Sequence, residues 1–101
     1  MATAQVQDTT CISADGAYVA AVRDIDTGAV GSGSDLLLKT RRSLFPPFGE
    51  GAVADGPYQF FGPIRWTANH TLRVGYGASG PPDPHWTTKW RGVKIVYVSA
   101  L

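Results

Sequence analysis

The sequence has very little cysteine. Cys11 is the one cysteine in 101 residues, so no internal disulfide can form. This excludes a disulfide-held scaffold, and nothing in the cysteine content indicates an oxidising compartment. The first residues, MATAQVQDTT, also lack the positive and apolar regions of a signal peptide. The location is therefore not fixed by the sequence, and a cytoplasmic or virion location, or release without a classical signal, fits it best.

Charge and long apolar runs are scarce as well. Charged residues make up 17% of the chain, and nine Lys and Arg against eight Asp and Glu leave a net charge of +1. Such a balance creates no strong long-range field, so we expect no nucleic-acid partner. The longest apolar-rich run, VKIVYVSAL, is far shorter than the roughly 20 residues of a membrane helix. We expect no membrane span.

Side chains for catalysis are few. The chain has two histidines, Cys11, one glutamate (Glu50) and seven aspartates. Cys11 lies in a predicted strand, where a lone cysteine usually acts as a small apolar side chain. The GSGS of residues 31–34 is not a GxGxxG sequence before a helix, so a dinucleotide site has no support. We therefore predict that the protein is not an enzyme.

Strand patterns dominate what is present. Residues 71–76 alternate strictly, with Leu72, Val74 and Tyr76 on one face. Only Ser34–Lys39 could start a helix, and we favour a strand there because no 3.6-residue periodicity continues past it. Gly- and Pro-rich turns separate the remaining apolar stretches. The sequence predicts an all-β fold with little or no helix. We expect a small antiparallel β-sandwich of six to eight short strands, with jelly-roll or immunoglobulin-like topology, formed by residues 1–101 as a single domain.

The last predicted strand runs from Trp86 to Val98. In a continuous strand, Trp86 and Trp90 share one face with Val96 and Val98, while Val93, Ile95 and Tyr97 point to the other face. Gly92 at the join is a candidate bulge. Before this strand, residues 77–84 hold three prolines and form a rigid connection.

This proline-rich connection suggests a binding site. An aromatic ring matches the C–H patches of a sugar, and neighbouring polar side chains hold its hydroxyls. A ring beside a rigid loop also loses little conformational entropy on binding. We predict a non-catalytic, lectin-like module that binds carbohydrate. Its ligand-binding residues would be Asp83, His85 and Trp86, together with Trp90, Arg91, Trp66 and Tyr58.

Two alternatives stay open at this point. Trp66 and Trp90 lie at strand positions that could face inward, and at least one of them is expected in the core. The same aromatic loops also suit a protein partner, because Trp, Tyr and Arg commonly anchor protein interfaces. The alternative function is therefore a structural or assembly protein, such as a virion component or a homo-oligomer subunit.

A calcium site is the one cofactor that the sequence suggests. Asp26 lies two residues after Asp24, and Asp35 lies eleven residues after Asp24. This spacing is comparable to that of an EF-hand loop. The glycine that an EF-hand requires is replaced by Ala29, so a true EF-hand is rejected. A looser calcium site on Asp24, Asp26 and Asp35 remains a hypothesis, and no other cofactor is expected.

Overall fold

The protein is built from β-strands. The computed structural model describes residues 5–28, 32–46 and 51–100, and within them it contains eight strands and no helix. The strands are β1 (Gln5–Ile12), β2 (Tyr18–Asp26), β3 (Gly33–Thr40), β4 (Ala54–Gly56), β5 (Phe61–Ala68), β6 (Thr71–Tyr76), β7 (Lys89–Trp90) and β8 (Val93–Ser99). They form two four-stranded sheets, which confirms the prediction of an all-β sandwich. In these ranges there is accordingly no apolar helix that could cross a bilayer.

The first four strands form sheet A, in the order β1-β2-β3-β4. All three pairs are antiparallel, so successive strands of this sheet run in alternating directions. The strand predicted at Ser34–Lys39 is confirmed as the middle of β3. β4 is a short strand within the proline- and glycine-rich connection between β3 and β5.

The last four strands form sheet B, in the order β5-β6-β8-β7. Here β6 and β8 run parallel, whereas the other five strand pairs of the described residues are antiparallel. The connection between β6 and β7 carries the chain back across the sheet, which permits this parallel pairing. The first four strands share one sheet, whereas in an immunoglobulin fold the strands are divided between sheets as ABED and CFG. The topology is therefore not immunoglobulin-like. The parallel β6–β8 pair also departs from a jelly-roll, which is an antiparallel architecture.

The predicted long C-terminal strand is a hairpin. Arg91 and Gly92 have φ angles of 44° and 82°, the positive values that a tight two-residue hairpin turn requires. They join β7 to β8, and Trp90 pairs with Val93 across the ladder. The prediction that Trp90 shares a face with Val96 and Val98 is therefore wrong. The turn reverses the chain, so Trp90 packs against the core beside Val93.

The core lies between the two sheets. Its fully buried centre includes Leu36 from sheet A and Leu72, Val74 and Val93 from sheet B. Leu72, Val74 and Tyr76 face inward together, as their alternation predicts. A group of packed rings fills one part of this core and consists of Phe60, Phe61, Tyr76, Trp86 and Tyr97.

Gly75 marks a close approach of two strands. The ladder between β5 and β6 is irregular between Phe61 and Ile64, where Gly62 and Pro63 cross over Gly75. A Cβ atom at Gly75 would lie 2.5 Å from the Gly62 carbonyl oxygen. Because backbone cannot yield as a flexible side chain does, this position requires glycine.

Candidate functional site

Trp86 lies in the core, although the sequence suggested an exposed sugar-binding ring. Its side chain is 9% exposed and packs against Phe61, Tyr76 and Tyr97 at ring-centroid distances of 5.0–5.4 Å. The indole Nε1 donates a hydrogen bond to the Asp55 carbonyl oxygen at 3.1 Å. The turn before Trp86 and the backbone bond from Thr87 to the Val53 carbonyl direct the ring inward. Trp86 is therefore a structural residue.

Asp83 and His85 form a small polar turn outside the core. The Asp83 carboxylate accepts a hydrogen bond from the His85 backbone N–H at 2.8 Å and lies 3.1 Å from its imidazole Nδ1. The backbone bond in particular lowers the pKa of Asp83. The His85 side chain is 94% exposed. These two residues bind each other, while Trp86 next to them points into the sandwich.

Tyr58 lies at the other end of the sandwich. It is exposed on the turn between β4 and β5, and the adjacent Gln59 N–H bonds to the Asp24 carboxylate. Asp24 lies six residues along β2 from Tyr18, which is about 20 Å at the usual strand rise. Tyr58 is thus remote from Trp66 and Trp90, which contact the Tyr18 ring.

Two predicted tryptophans do meet, around Tyr18. The Tyr18 ring stacks on Trp66 at a centroid distance of 6.2 Å and meets the edge of Trp90 at 6.1 Å. The His70 ring contacts Tyr18 at 5.5 Å. The Arg91 guanidinium lies 5.1 Å from the Trp90 ring centroid, a cation–π arrangement. We call these five residues the turn-end cluster.

The turn-end cluster is positioned by three tight turns. The turns join β1 to β2, β5 to β6 and β7 to β8, and they supply Asp15, His70 and Arg91 respectively. They are tied together, because Lys94 N–H bonds to the His70 carbonyl and the Tyr18 hydroxyl lies 3.4 Å from the Arg91 carbonyl oxygen. The three turns therefore converge on one end of the sandwich.

The rim of this end carries charge of both signs. The Asp15 carboxylate accepts hydrogen bonds from the Ala17 backbone N–H and the Ser13 hydroxyl, and these bonds lower its pKa. Its other oxygen lies 3.9 Å from His70 Nε2. An ionised carboxylate, an imidazole and the Arg91 guanidinium thus surround rings that are only partly buried.

A depression adjoins the cluster on the sheet A side. It has a volume of about 720 Å³ and is lined by Gly16, Ala17, Thr40, Arg41 and Arg42. Thr40 is the ladder partner of Tyr18, so the depression begins one strand away from the rings. Two further arginines are therefore available to a ligand that extends beyond Tyr18.

Sequence reasoning missed Tyr18 and Asp15. Neither residue was among the predicted ligand-binding residues, and His70 was not among them either. The observable signal was the sequence SADGAY, since a four-residue turn of this kind places both side chains at one strand end. Nothing in the sequence indicated that the turns after β5 and β7 would lie beside it.

The three carboxylates proposed for calcium do not form one site. Asp24 accepts the Gln59 N–H and Asp26 accepts the Gly28 N–H, so both carboxylates have backbone partners. The ladder partner of Asp35 is Arg23, which is the residue before Asp24 on β2. Because neighbouring residues of a strand point to opposite faces, Asp35 and Asp24 lie on opposite faces of sheet A. Within residues 5–28, 32–46 and 51–100 no three His, Cys, Asp or Glu side chains come together as a metal site.

Comparison of the chain with protein-family models, with curated proteins and with solved structures gives no match. The function proposed below therefore depends on the geometry of the turn-end cluster.

Proposed function

We propose that the protein is a non-catalytic binding module that holds carbohydrate at the turn-end cluster. The observation that carries this proposal is the convergence of Tyr18, Trp66 and Trp90 beneath a rim of Asp15, His70 and Arg91. It keeps the predicted ligand class and moves the site away from Trp86.

The chemistry of this end suits a sugar. Partly exposed rings offer an apolar surface for the C–H groups of a pyranose, and the rim offers donors and acceptors for its hydroxyls. Because each rim residue lies on a tight turn, the backbone of the rim loses little conformational entropy when a ligand binds. The guanidinium over Trp90 would contact the ligand together with the ring.

The polar groups at this end are arranged for binding rather than for hydrolysis. Ser13, Asp15 and His70 resemble a catalytic set by composition, but Asp15 lies between the other two and accepts the Ser13 hydroxyl at 2.7 Å. A hydrolase triad places the imidazole between serine and carboxylate, because the imidazole takes the serine proton. In addition, Ser13 is only 3% exposed. This order supports a non-catalytic role.

A structural or assembly role is the second candidate function. The observation that favours it is the exposure of large apolar side chains on the described surface. Leu44 is 90% exposed, and Ile12, Val6 and Tyr58 are 53%, 48% and 42% exposed. Such side chains are common at protein interfaces when they are grouped. A protein partner is therefore the alternative to a sugar at this stage.

A glycan array followed by titration tests the carbohydrate proposal. We expect retention on at least one sugar and a change in tryptophan fluorescence on titration, since Trp66 and Trp90 lie at the site. His70→Ala and Trp90→Ala should each weaken binding, and Tyr58→Ala at the remote end is the matched control. His70 is exposed, so its substitution leaves the core intact. The proposal would be refuted if no sugar retained the protein, or if His70→Ala and Trp90→Ala both bound as tightly as the wild type.

A further inference from the structure

Strand β1 is a long open sheet edge. The other three sheet edges are blunted: β4 has three residues, β7 has two, and β5 carries Pro63 and two irregularities in its ladder. β1 has eight residues and contains no proline or lysine, and in the part of the chain that the structure describes it pairs on one side only, with β2. Seven of its eight residues are exposed. An edge of this kind can accept another strand.

The backbone groups that β1 offers can be assigned from its ladder. Ser13 N–H bonds to the Tyr18 carbonyl, and Arg41 N–H bonds to the Ala17 carbonyl on the other side of β2. In an antiparallel ladder the residues alternate between bonding to one neighbour and to the other. The odd-numbered residues of β1 therefore bond to β2. The N–H and C=O groups of Val6, Asp8, Thr10 and Ile12 point away from it.

We propose that β1 pairs antiparallel with β1 of a second copy of this chain, with Thr9 opposite Thr9 on the two-fold axis. The two A sheets then become one continuous eight-stranded sheet. This dimer is independent of the carbohydrate site, so either proposal can fail without the other.

Two constraints set the register of the new ladder, namely which residues of β1 point to the shared edge and where the charged side chains meet. Two residues can exchange hydrogen bonds across the new ladder only if both point to the shared edge, so even-numbered residues must face even-numbered residues. Two such registers align seven residues of each strand. One places Asp8 opposite Asp8, where like charges repel. The other places Thr9 opposite Thr9 and Asp8 opposite Thr10, and it avoids this repulsion.

The same register matches the apolar side chains. Val6 and Ile12 lie on the outer face of β1, where they pair with Ile25 and Val19 of β2. With Thr9 on the axis, Val6 of one copy faces Ile12 of the other. Each dimer then has two apolar rows in the order Ile25, Val6, Ile12, Val19. Val6 and Ile12, which are 48% and 53% exposed in the single chain, would cover each other.

The one charged side chain of β1, Asp8, has an ion-pair partner on β2. The Arg23 guanidinium binds both Asp8 carboxylate oxygens, at 2.9 and 3.1 Å. Asp8 therefore brings its own counter-charge to the interface, and Thr10 of the partner can lie opposite it without an unpaired carboxylate. An edge strand is usually protected by a free charge, and here that charge is paired.

Cysteine cross-linking tests the register. In the proposed register Gln7 faces Cys11 of the other copy, whereas in the rejected register Gln5 faces it. Residues of a non-hydrogen-bonded pair have Cα atoms about 4.5 Å apart, which a disulfide can bridge. We expect Gln7→Cys to form covalent dimers in oxidised glutathione about tenfold faster than Gln5→Cys, because only the former meets this geometry. The two variants alter exposed glutamines on the same strand face, so they are matched controls.

Light scattering with a backbone variant tests the edge itself. Among residues 5–28, 32–46 and 51–100 the Thr10 N–H has no ladder partner, because it points away from β2. Thr10→Pro should therefore keep the far-ultraviolet spectrum of the folded protein and lose the dimer. Wild-type protein should show a mass that rises to that of a dimer with concentration. A wild-type monomer at every concentration, a dimer that survives Thr10→Pro, or equal cross-linking of Gln5→Cys and Gln7→Cys would overturn the proposal.

Discussion

Replacing Trp86 separates a structural role from a ligand-binding role. The ring is 9% exposed and packs against four other aromatic rings. A buried tryptophan removes roughly 200 Å² from water, which corresponds to about 5 kcal/mol at 25 cal/mol per Å². Truncation of large aromatic side chains in cores costs about 3–5 kcal/mol. The hydrogen bond to the Asp55 carbonyl adds about 1 kcal/mol.

We therefore expect Trp86→Ala to lower the free energy of unfolding by about 4–6 kcal/mol. This is comparable to the whole stability of a small domain, about 5–15 kcal/mol, so the variant is expected to be largely unfolded or close to it. Trp86→Phe keeps a ring and loses the indole hydrogen bond and some contact area. Its expected loss is about 1–2 kcal/mol, or roughly 4–16 °C in melting temperature.

Urea denaturation followed by circular dichroism measures both effects. The midpoint should fall for Trp86→Phe while the slope with urea stays constant, because the surface exposed on unfolding is nearly unchanged. Tyr58→Ala removes an exposed ring and should change stability by less than about 0.5 kcal/mol. A loss below about 1 kcal/mol for Trp86→Ala would refute the core assignment, since a buried ring cannot be removed so cheaply.

Three further predictions concern positions outside the turn-end cluster. Gly75→Ala should destabilise the fold by about 1–3 kcal/mol, because the added Cβ clashes with the Gly62 backbone, whereas Gly77→Ala should have little effect on stability. Equal urea midpoints for the two variants would contradict this. Burial and the facing Asp55 raise the pKa of Asp35, so its charged form opposes folding. Asp35→Asn should therefore add about 0.2–1 kcal/mol at pH 7 and add nothing near pH 3, and a pH-independent effect would contradict it. Burial raises the pKa of Tyr97 well above its usual range, so stability should fall as the pH rises beyond about 10. Tyr97→Phe should lose part of this alkaline fall, measured by urea denaturation at pH 8–11, and an unchanged pH profile would contradict the assignment.

Local patterns predicted most of the strands. The alternation of residues 71–76 predicted both the strand and its buried face, and the lack of helical periodicity after Lys39 correctly favoured a strand at Ser34–Lys39. These features depend on residues that are close together in the sequence, so a sequence pattern can predict them. The parallel pairing of β6 with β8 does not follow from local pattern, because it depends on the path of the chain between them.

The site was harder to predict because its residues come from distant parts of the sequence. Trp86 and Trp90 lie four residues apart in the sequence, yet one fills the core and the other reaches the turn-end cluster. Both precede the Arg91-Gly92 turn, which replaces the expected strand, so both face the core. Trp86 packs beside Tyr76, whereas Trp90 lies next to the turn itself. Tyr18 meets Trp66 and Trp90 from the other sheet, and no spacing along the chain encodes that contact.

The strand order of the two sheets has a consequence for how the chain folds. Sheet A can form by successive turns between neighbouring strands, whereas β6 and β7 of sheet B become neighbours of a common strand only when β8 inserts between them. Pairing between distant segments slows folding, because loop entropy is lost before contacts form. We expect the amides of β2 and β3 to gain protection from hydrogen exchange before those of β6 and β8. Pulse-labelling during refolding would show this order, and simultaneous protection of both sheets would argue against it.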